Sequence, residues 1–518
     1  MSRQIFSISD SEGWWGGNTA SGHLMPFTKG SAYEVNLMGD NEGNQSQPIL
    51  LSSDGRLAYC DEPVRLKFGE DELRMDGDLA QVQTMDSGKT LRDAYLNAKD
   101  ALYEFDGRIP DAELFRMPQY NTWIELMYDQ NEVAILAYAE RLLAEGYPPG
   151  VLMIDDTWQE GYGIWEFAPR RFKNPKEMIA RLHAMGFKVM LWVCPFIQSD
   201  SPIYRQLAKQ KAMIRDAEDD TAVLWGFCDE NPMIVRWWNG ASGVLDLTHP
   251  EGLQWFRGEL DRLVEEYGVD GFKLDAGDAN FYLGSIKCYD QRAHANKHME
   301  AFARLALDYP LSELRACWKL GGAPIAQRLR DKWHTWEHLQ QLIPQMMTMG
   351  LLGYPFACPD MIGGGDYQSF LSLDTIDQEL FVRSAQCSAL MPMMQFSAAP
   401  WRILDEQHAS LCLEAAKLHA KWADQFESMA LDCARIGEPI LRPLEYNYPH
   451  QGYLEVKDQF MLGDSVLVAP VVESGAYQRK VHFPTGRWQS QSGEVIEGPC
   501  HQVVESPLDC LSYYTKRN

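Results

Sequence analysis

Lys273, Asp275 and Asp278 crowd into the end of the stretch Gly268-Val-Asp-Gly-Phe-Lys-Leu-Asp-Ala-Gly-Asp278, directly after a short apolar run. A carboxylate can attack an electrophilic carbon or move a proton, and a lysine close by favours its charged form. A lone Asp at a strand end more often caps a loop or closes an ion pair. Three ionisable groups together are expensive in a core, but they are common at the catalytic end of a parallel barrel.

The elements around this stretch explain how the groups are held. Leu253, Phe256, Leu260, Leu263, Val264 and Tyr267 recur at helical spacing and predict a helix over 252–267, stopped by Gly268. A strand follows, with Phe272 and Leu274 on one face and Lys273 and Asp275 on the other. With the apolar pair against outer helices, the ionisable pair faces the middle of a sheet or barrel. The same alternation begins near residue 115. Tyr120–Leu126 precedes a helix from Asn131 that carries Ile135, Leu136, Ala139, Leu142 and Leu143 on one face. Val151–Trp158 is an apolar run ending in acids. A helix capped by Asn174, with Pro175 first and Glu177 in its first turn, leads to Phe187–Pro195.

Strand–helix units over this length predict an α/β chain with a (β/α)8 TIM barrel at 113–434. An open dinucleotide-binding sheet is disfavoured, because no GxGxxG opens any of the helices. Short alternating runs such as Arg65–Phe68 and Glu72–Met75, set among turn residues, predict an N-terminal β-sandwich over 1–112. Asp458–Pro470, Lys480–Phe483 and Gln502–Glu505 predict a C-terminal β-sandwich over 435–518. The polar segment Gly39–Gln45 reads as a surface turn entering the strand Pro48–Ser52, rather than as a loop reaching a neighbouring site.

Composition narrows the chemistry. The 518 residues carry a net charge of −26 with no basic block, which argues against nucleic acid or an anionic membrane as partner and favours a small neutral or polar substrate. No run of about 18 apolar residues occurs and the first ten residues lack a secretory core, so a cytoplasmic location is expected. Eleven cysteines without paired CxxC spacing read as reduced thiols, and neither a metal nor another cofactor is expected. Self-association is left open. Asp155, Asp275, Asp331 and Asp360 each follow apolar or mixed runs, in the company of Trp158, Trp192, Trp238, Trp318, Trp333 and Trp336. Barrel acids from different strands converge on one pocket. Aromatic faces and carboxylates together suit a sugar, whose C–H faces stack on rings while its hydroxyls donate to acids. Most of the tryptophans are expected in the core, with two or three at a pocket.

Five segments in the same order carry a family resemblance: Gly39–Ser52, Phe172–Phe196, Phe272–Asp278, Trp336–Gly364 and Gln459–Pro470. The chain resembles glycoside hydrolase family 31. Leu352–Gly364 and the Lys-Leu-Asp-Ala-Gly core are similar to its myogenesis-regulating glycosidase branch, which acts on α-galactosides. The resemblance implies a retaining, exo-acting α-glycosidase, of α-galactosidase or α-glucosidase type, in which Asp275 is the nucleophile and Asp331 the general acid/base. It further implies that Arg315, sixteen residues before Asp331, binds sugar, and that Asp155, Trp192, Trp238, Lys273 and Asp360 line the subsite of the cleaved sugar. Trp336, which opens the helix after Asp331, and Asp278, as a support or rim residue, are also expected to bind substrate. Double displacement requires Asp275 ionised and Asp331 protonated. Arg328, Arg330 and Lys332 flank Asp331 and are therefore expected to point away or to bind other acids. The segment Met394–Arg402 lacks the family's Arg-x-His element, so the glycone specificity of the ordinary α-glucosidases does not transfer. A transglycosylase or sulfoquinovosidase on the same scaffold, and a silent sugar-binding protein, are the alternatives.

Overall fold

The structure, a computed structural model, describes residues 2–39, 41–77, 82–86, 88–217, 232–282, 284–372 and 376–517. Eight short parallel strands form its centre: β1 (Gln119–Asn121), β2 (Val151–Ile154), β3 (Lys188–Val193), β4 (Gly271–Leu274), β5 (Leu311–Leu314), β6 (Ala326–Arg328), β7 (Ala357–Cys358) and β8 (Gln395–Phe396). From β1 to β7 each strand pairs with the next in sequence, and β8 pairs with β1. The Ile362 amide donates to the Gln395 carbonyl across the β7–β8 gap at 2.9 Å, so the sheet is a nearly closed (β/α)8 barrel.

The strands are almost continuously buried, as a parallel sheet covered on both faces requires. The helix before β4 runs Pro250–Tyr267, with Phe256, Leu260 and Leu263 buried and Gly268 closing it at φ 77°. A left-handed residue at this position suits glycine, which has no Cβ to clash. Phe272 packs outward against the ring of Tyr309, and Lys273 points to the barrel interior, where it is 5% exposed. The helices Glu132–Ala144 and Pro175–Ala184 lie where the periodicity predicts them. Asn174 occupies the cap position of the second, but its side chain makes no capping bond. Its backbone N–H instead donates to Glu132 Oε2 at 2.8 Å.

One barrel link departs from the strand–helix rule. Between β5 and β6 there is no helix; Cys317–Trp318 instead pairs in parallel with Gln45–Ser46 of the N-terminal strand Gln45–Ser52. That strand belongs to one of two antiparallel N-terminal sheets, and the hairpin Arg65–Phe68/Glu72–Gly77 to the other. This pairing joins the N-terminal region to the barrel next to its strand ends. At the C-terminus, six strands form an antiparallel sheet. Its strand Gln478–Ser490 changes register between Phe483 and Gly486, and Val481, Phe483 and Trp488 bury with Met461, Leu467 and Tyr514. No helix among the described residues is long and apolar enough to cross a membrane.

Candidate active site

The carboxylates predicted from the sequence gather at the C-terminal ends of the barrel strands. Asp155 follows β2 and Lys273 lies within β4; their side chains meet at 2.7 Å, both buried. Burial by itself would lower the Lys273 pKa, but the charges of Asp155, Asp275 and Asp331 together outweigh it and the net direction is upward, so Lys273 stays an ammonium. Asp275, the next inward-facing residue after Lys273, has both oxygens engaged. Oδ1 accepts from the Ala276 amide at 2.9 Å and from Arg315 Nη2 and Nε at 3.2 and 3.3 Å, while Oδ2 accepts from Trp192 Nε1 at 3.0 Å. Burial pushes this carboxyl up, yet Arg315 and then Lys273 outweigh it and hold Asp275 well below the usual carboxylate range. The backbone turns into the left-handed region immediately afterwards, at Ala276 with φ 59°, which directs the Ala276 amide back onto the carboxylate. A non-glycine residue held there is the kind of local strain that functional sites store.

Arg315 is shared. It also donates to both oxygens of Asp278, at 2.9 and 2.8 Å, and to the Gly43 carbonyl at 2.9 Å. Asp278 is thereby a buried support for Arg315, and burial raises its pKa against the guanidinium's pull. The segment read as a surface turn therefore reaches the site. Gly43 touches Arg315, Asn44 Oδ1 accepts from the Arg330 amide at 2.9 Å, and Gln45 Nε2 donates to the carbonyls of Arg315 and Arg328 at 2.7 and 2.8 Å. The physical reason is the missing helix after β5, which lets the N-terminal strand approach the strand ends. Asp40 of that segment lies outside the described residues.

Asp331 lies on the loop after β6 with its side chain 42% exposed. The expectation that its basic neighbours turn away or bind other acids holds for two of the three. Arg330 Nη1 donates to the Glu42 carbonyl at 3.0 Å, and Lys332 Nζ is buried against Gln345. Arg328 does the opposite: its Nη1 donates to Asp331 Oδ1 at 2.8 Å and to Asp360 Oδ1 at 3.0 Å, while Nε donates to Glu313 at 3.0 Å. As the last residue of an inward-facing strand, Arg328 has nowhere to go but the barrel mouth.

Asp155, Trp192, Trp238, Lys273, Asp275, Arg315 and Asp331 all line one cleft of about 510 Å³. Asp278, held behind Arg315, does not line it, and neither do Asp360 and Trp336. Asp360 sits behind it, clamped by the amides of Lys332, Met361 and Gly365. Trp336 turns away and donates from Nε1 to Asp377 at 2.9 Å, at the start of the helix Gln378–Ala389. Trp333, 46% exposed, lines the cleft in its place. The loop between Asp331 and the helix puts residue 333 at the mouth and residue 336 on the helix. Trp158 and Trp318 are core residues.

Sequence reasoning missed an aromatic wall in which Trp123 packs edge-on against Tyr128 and Tyr367. No local signal marks it, because its members come from two distant links. It also passed over Asp156, adjacent to Asp155, whose carboxylate accepts from Gln159, the Thr157 amide, Tyr162 and Asn239. Burial, with the neighbouring Asp155 charge adding to it, pushes Asp156 up to about 6. The doublet Asp155-Asp156 was the available signal. No group of three or more potential metal ligands occurs among the described residues.

Comparison with known proteins places this geometry. Residues 116–328 and 324–422 match the family model described as "Glycosyl hydrolases family 31 TIM-barrel domain", and residues 437–518 match "Glycosyl hydrolase family 31 C-terminal domain". Among curated proteins, the myogenesis-regulating glycosidase of Mus musculus is 33% identical over 422 residues, covering 79% of this chain and 57% of that protein. The α-xylosidase XylQ of Lactiplantibacillus pentosus is 24% identical over 500 residues, covering 89% and 61%. The chain spans about half the length of the curated relatives it matches. Among solved structures, a dextranase of Flavobacterium johnsoniae complexed with glucose superposes with a TM-score of 0.85 at 21% identity, covering 99% of this chain and 66% of that one. With the family model matching well over half of its residues, the chain belongs to glycosyl hydrolase family 31.

Proposed function

We propose that the cleft hydrolyses a terminal α-linked sugar with retention of configuration, by double displacement through an ester on Asp275. The observation that carries this reading is the pairing of an ionised, doubly held Asp275 with the half-exposed Asp331 in one cleft. Attack at an anomeric carbon needs an ionised carboxylate, and Arg315 and Lys273 keep Asp275 in that form. Oδ1 is engaged by the Ala276 amide and Arg315, whereas Oδ2 meets Trp192 alone among the hydrogen bonds described, so Oδ2 is assigned as the attacking oxygen. Asp331 first gives a proton to the departing oxygen and then takes one from water. Lys273, Asp155 and Arg315 bind the hydroxyls of the cleaved sugar, Trp192 and Trp238 flank it, and Trp333 lies on the leaving-group side beside Asp331. The N-terminal loop closing over Arg315 supports exo-action.

The glycone is assigned as neutral, an α-galactoside or α-glucoside. Five carboxylates (Asp155, Asp156, Asp275, Asp331 and Asp366) share the cleft with three cations (Lys273, Arg315 and Arg330), and Arg315 and Lys273 are already committed to acids. An added sulfonate would enter a field of its own sign, which disfavours a sulfoquinovoside. The test is a panel of aryl α-glycosides (galacto, gluco, xylo, N-acetylgalacto and sulfoquinovo) with wild type and Asp275→Asn, reading the first-formed anomer by NMR. Turnover of a neutral member to the α-anomer, lost in Asp275→Asn, is expected. Release of the β-anomer overturns retention, and turnover of none overturns the hydrolase reading in favour of a sugar-binding one. Transfer to a second sugar at high substrate concentration would show transglycosylation.

A further inference from the structure

Arg328 stands out among the buried charges because one guanidinium, 1% exposed, reaches three carboxylates, and only one of them belongs to the cleft. The other two have further partners of their own. Glu313 also accepts from Gln395 at 2.8 Å, and Asp360 is held by three backbone amides at 2.6–2.9 Å. The Leu329 carbonyl takes a further bond from Nη1 at 2.9 Å. Arg328 is thus anchored on the barrel and extends one donor to Asp331, whose own loop leaves it half exposed. A second boundary acts on the same oxygen: a Cβ at Gly365 would stand 2.8 Å from Asp331 Oδ1 and 2.8 Å from Asp360 Oδ1. Glycine there leaves room for the carboxylate in this one orientation.

We propose that Arg328 is a positioning residue for proton transfer, fixing Oδ1 of Asp331 so that Oδ2 faces the leaving group. The inference rests on the reading of Asp331 as acid/base. In the first step the proton on Oδ2 passes to the glycosidic oxygen as the bond from that oxygen to C1 breaks and its electron pair stays on oxygen, while Asp275 bonds to C1. Asp331 is left as a carboxylate whose Oδ1 is already paired with Arg328. In the second step this carboxylate takes a proton from water as the water oxygen bonds to C1, and the ester electron pair returns to Asp275. Glu313 and Asp360 balance the guanidinium's charge and hold it in place, so that it constrains Asp331 by geometry as well as by attraction.

A positioning role for the acid predicts a dependence on leaving group that general loss of structure does not. Arg328→Lys keeps the charge but cannot span three carboxylates. Gly365→Ala keeps every charged group of the cluster and crowds Oδ1 of both Asp331 and Asp360 from the other side, so it serves if the first variant does not fold. Each is compared with wild type on aryl glycosides of the hydrolysed sugar, from phenyl to dinitrophenyl. The expected result is a fall in kcat/KM of about 100-fold for the phenyl glycoside, which needs protonation, and of less than about threefold for the dinitrophenyl glycoside, which does not. Equal losses across the series, or no loss, overturn the proposal. A wild type that turns over no α-glycoside overturns instead the underlying reading of the site, a separate result.

Discussion

Gly43→Ala tests whether the N-terminal loop is part of the active site. Gly43 has φ +65°, and a Cβ there would stand 2.0 Å from Arg315 Nη1. The guanidinium must retreat by about 1.2 Å to reach even a tight contact. It now lies 3.2 Å from Asp275 Oδ1, and at an effective dielectric of ~20 that retreat weakens the attraction by about 1.4 kcal/mol. If Arg315 acts by holding the nucleophile and the sugar, kcat/KM falls ~10-fold, and further if the bond to Asp278 is lost as well. The left-handed backbone adds about 1–2 kcal/mol of strain with any side chain, so a matched control is needed. Gly30 supplies it, with φ +88° and no heavy atom within 4 Å of a built Cβ. Both variants are assayed for kcat/KM on the hydrolysed glycoside and for Tm. Similar Tm losses with a ~10-fold activity loss confined to Gly43→Ala are expected. Activity in Gly43→Ala within twofold of Gly30→Ala would refute the coupling.

Further predictions concern single side chains. Asp156 is raised to about 6 by burial, so between about pH 4 and pH 6 the folded chain holds a proton that the unfolded chain has released. Stability therefore falls as pH rises through that window, by up to about 3 kcal/mol from this group. In Asp156→Asn, denaturant titrations should lose that slope, since Asn239 can turn its carbonyl to the new amide. Trp333→Ala should raise KM ~5-fold through loss of about 1 kcal/mol of stacking, with Tm unchanged. Trp336→Ala should do the reverse, lowering stability by about 1 kcal/mol through the lost bond to Asp377 while KM holds. Gln45→Leu leaves the carbonyls of Arg315 and Arg328 without its amide and should cost about 1–3 kcal/mol for each that stays buried and unpaired, read by chemical denaturation.

Local pattern carried much of this protein. The helix Pro250–Tyr267, its glycine stop and the alternation that turns Lys273 inward and Phe272 outward follow from periodicity within a window of about twenty residues. So do the alternating strands and helices of the barrel, because a buried parallel strand and an amphipathic helix each write their environment into consecutive residues. The acids Asp155, Asp275 and Asp331 were legible because they stand at the ends of such runs. The tertiary structure decided what depends on distance in space. It shows which tryptophan faces the cleft, because only two residues of loop separate Trp333 from Trp336 and pattern does not say where a loop ends its turn. It brings Gly43 and Gln45 to Arg315, some 270 residues away, through a link where no helix forms. It also turns Arg328 onto Asp331 although local charge argues against the contact, since the balancing carboxylates of Glu313 and Asp360 come from other strands and no sequence neighbourhood contains all four groups.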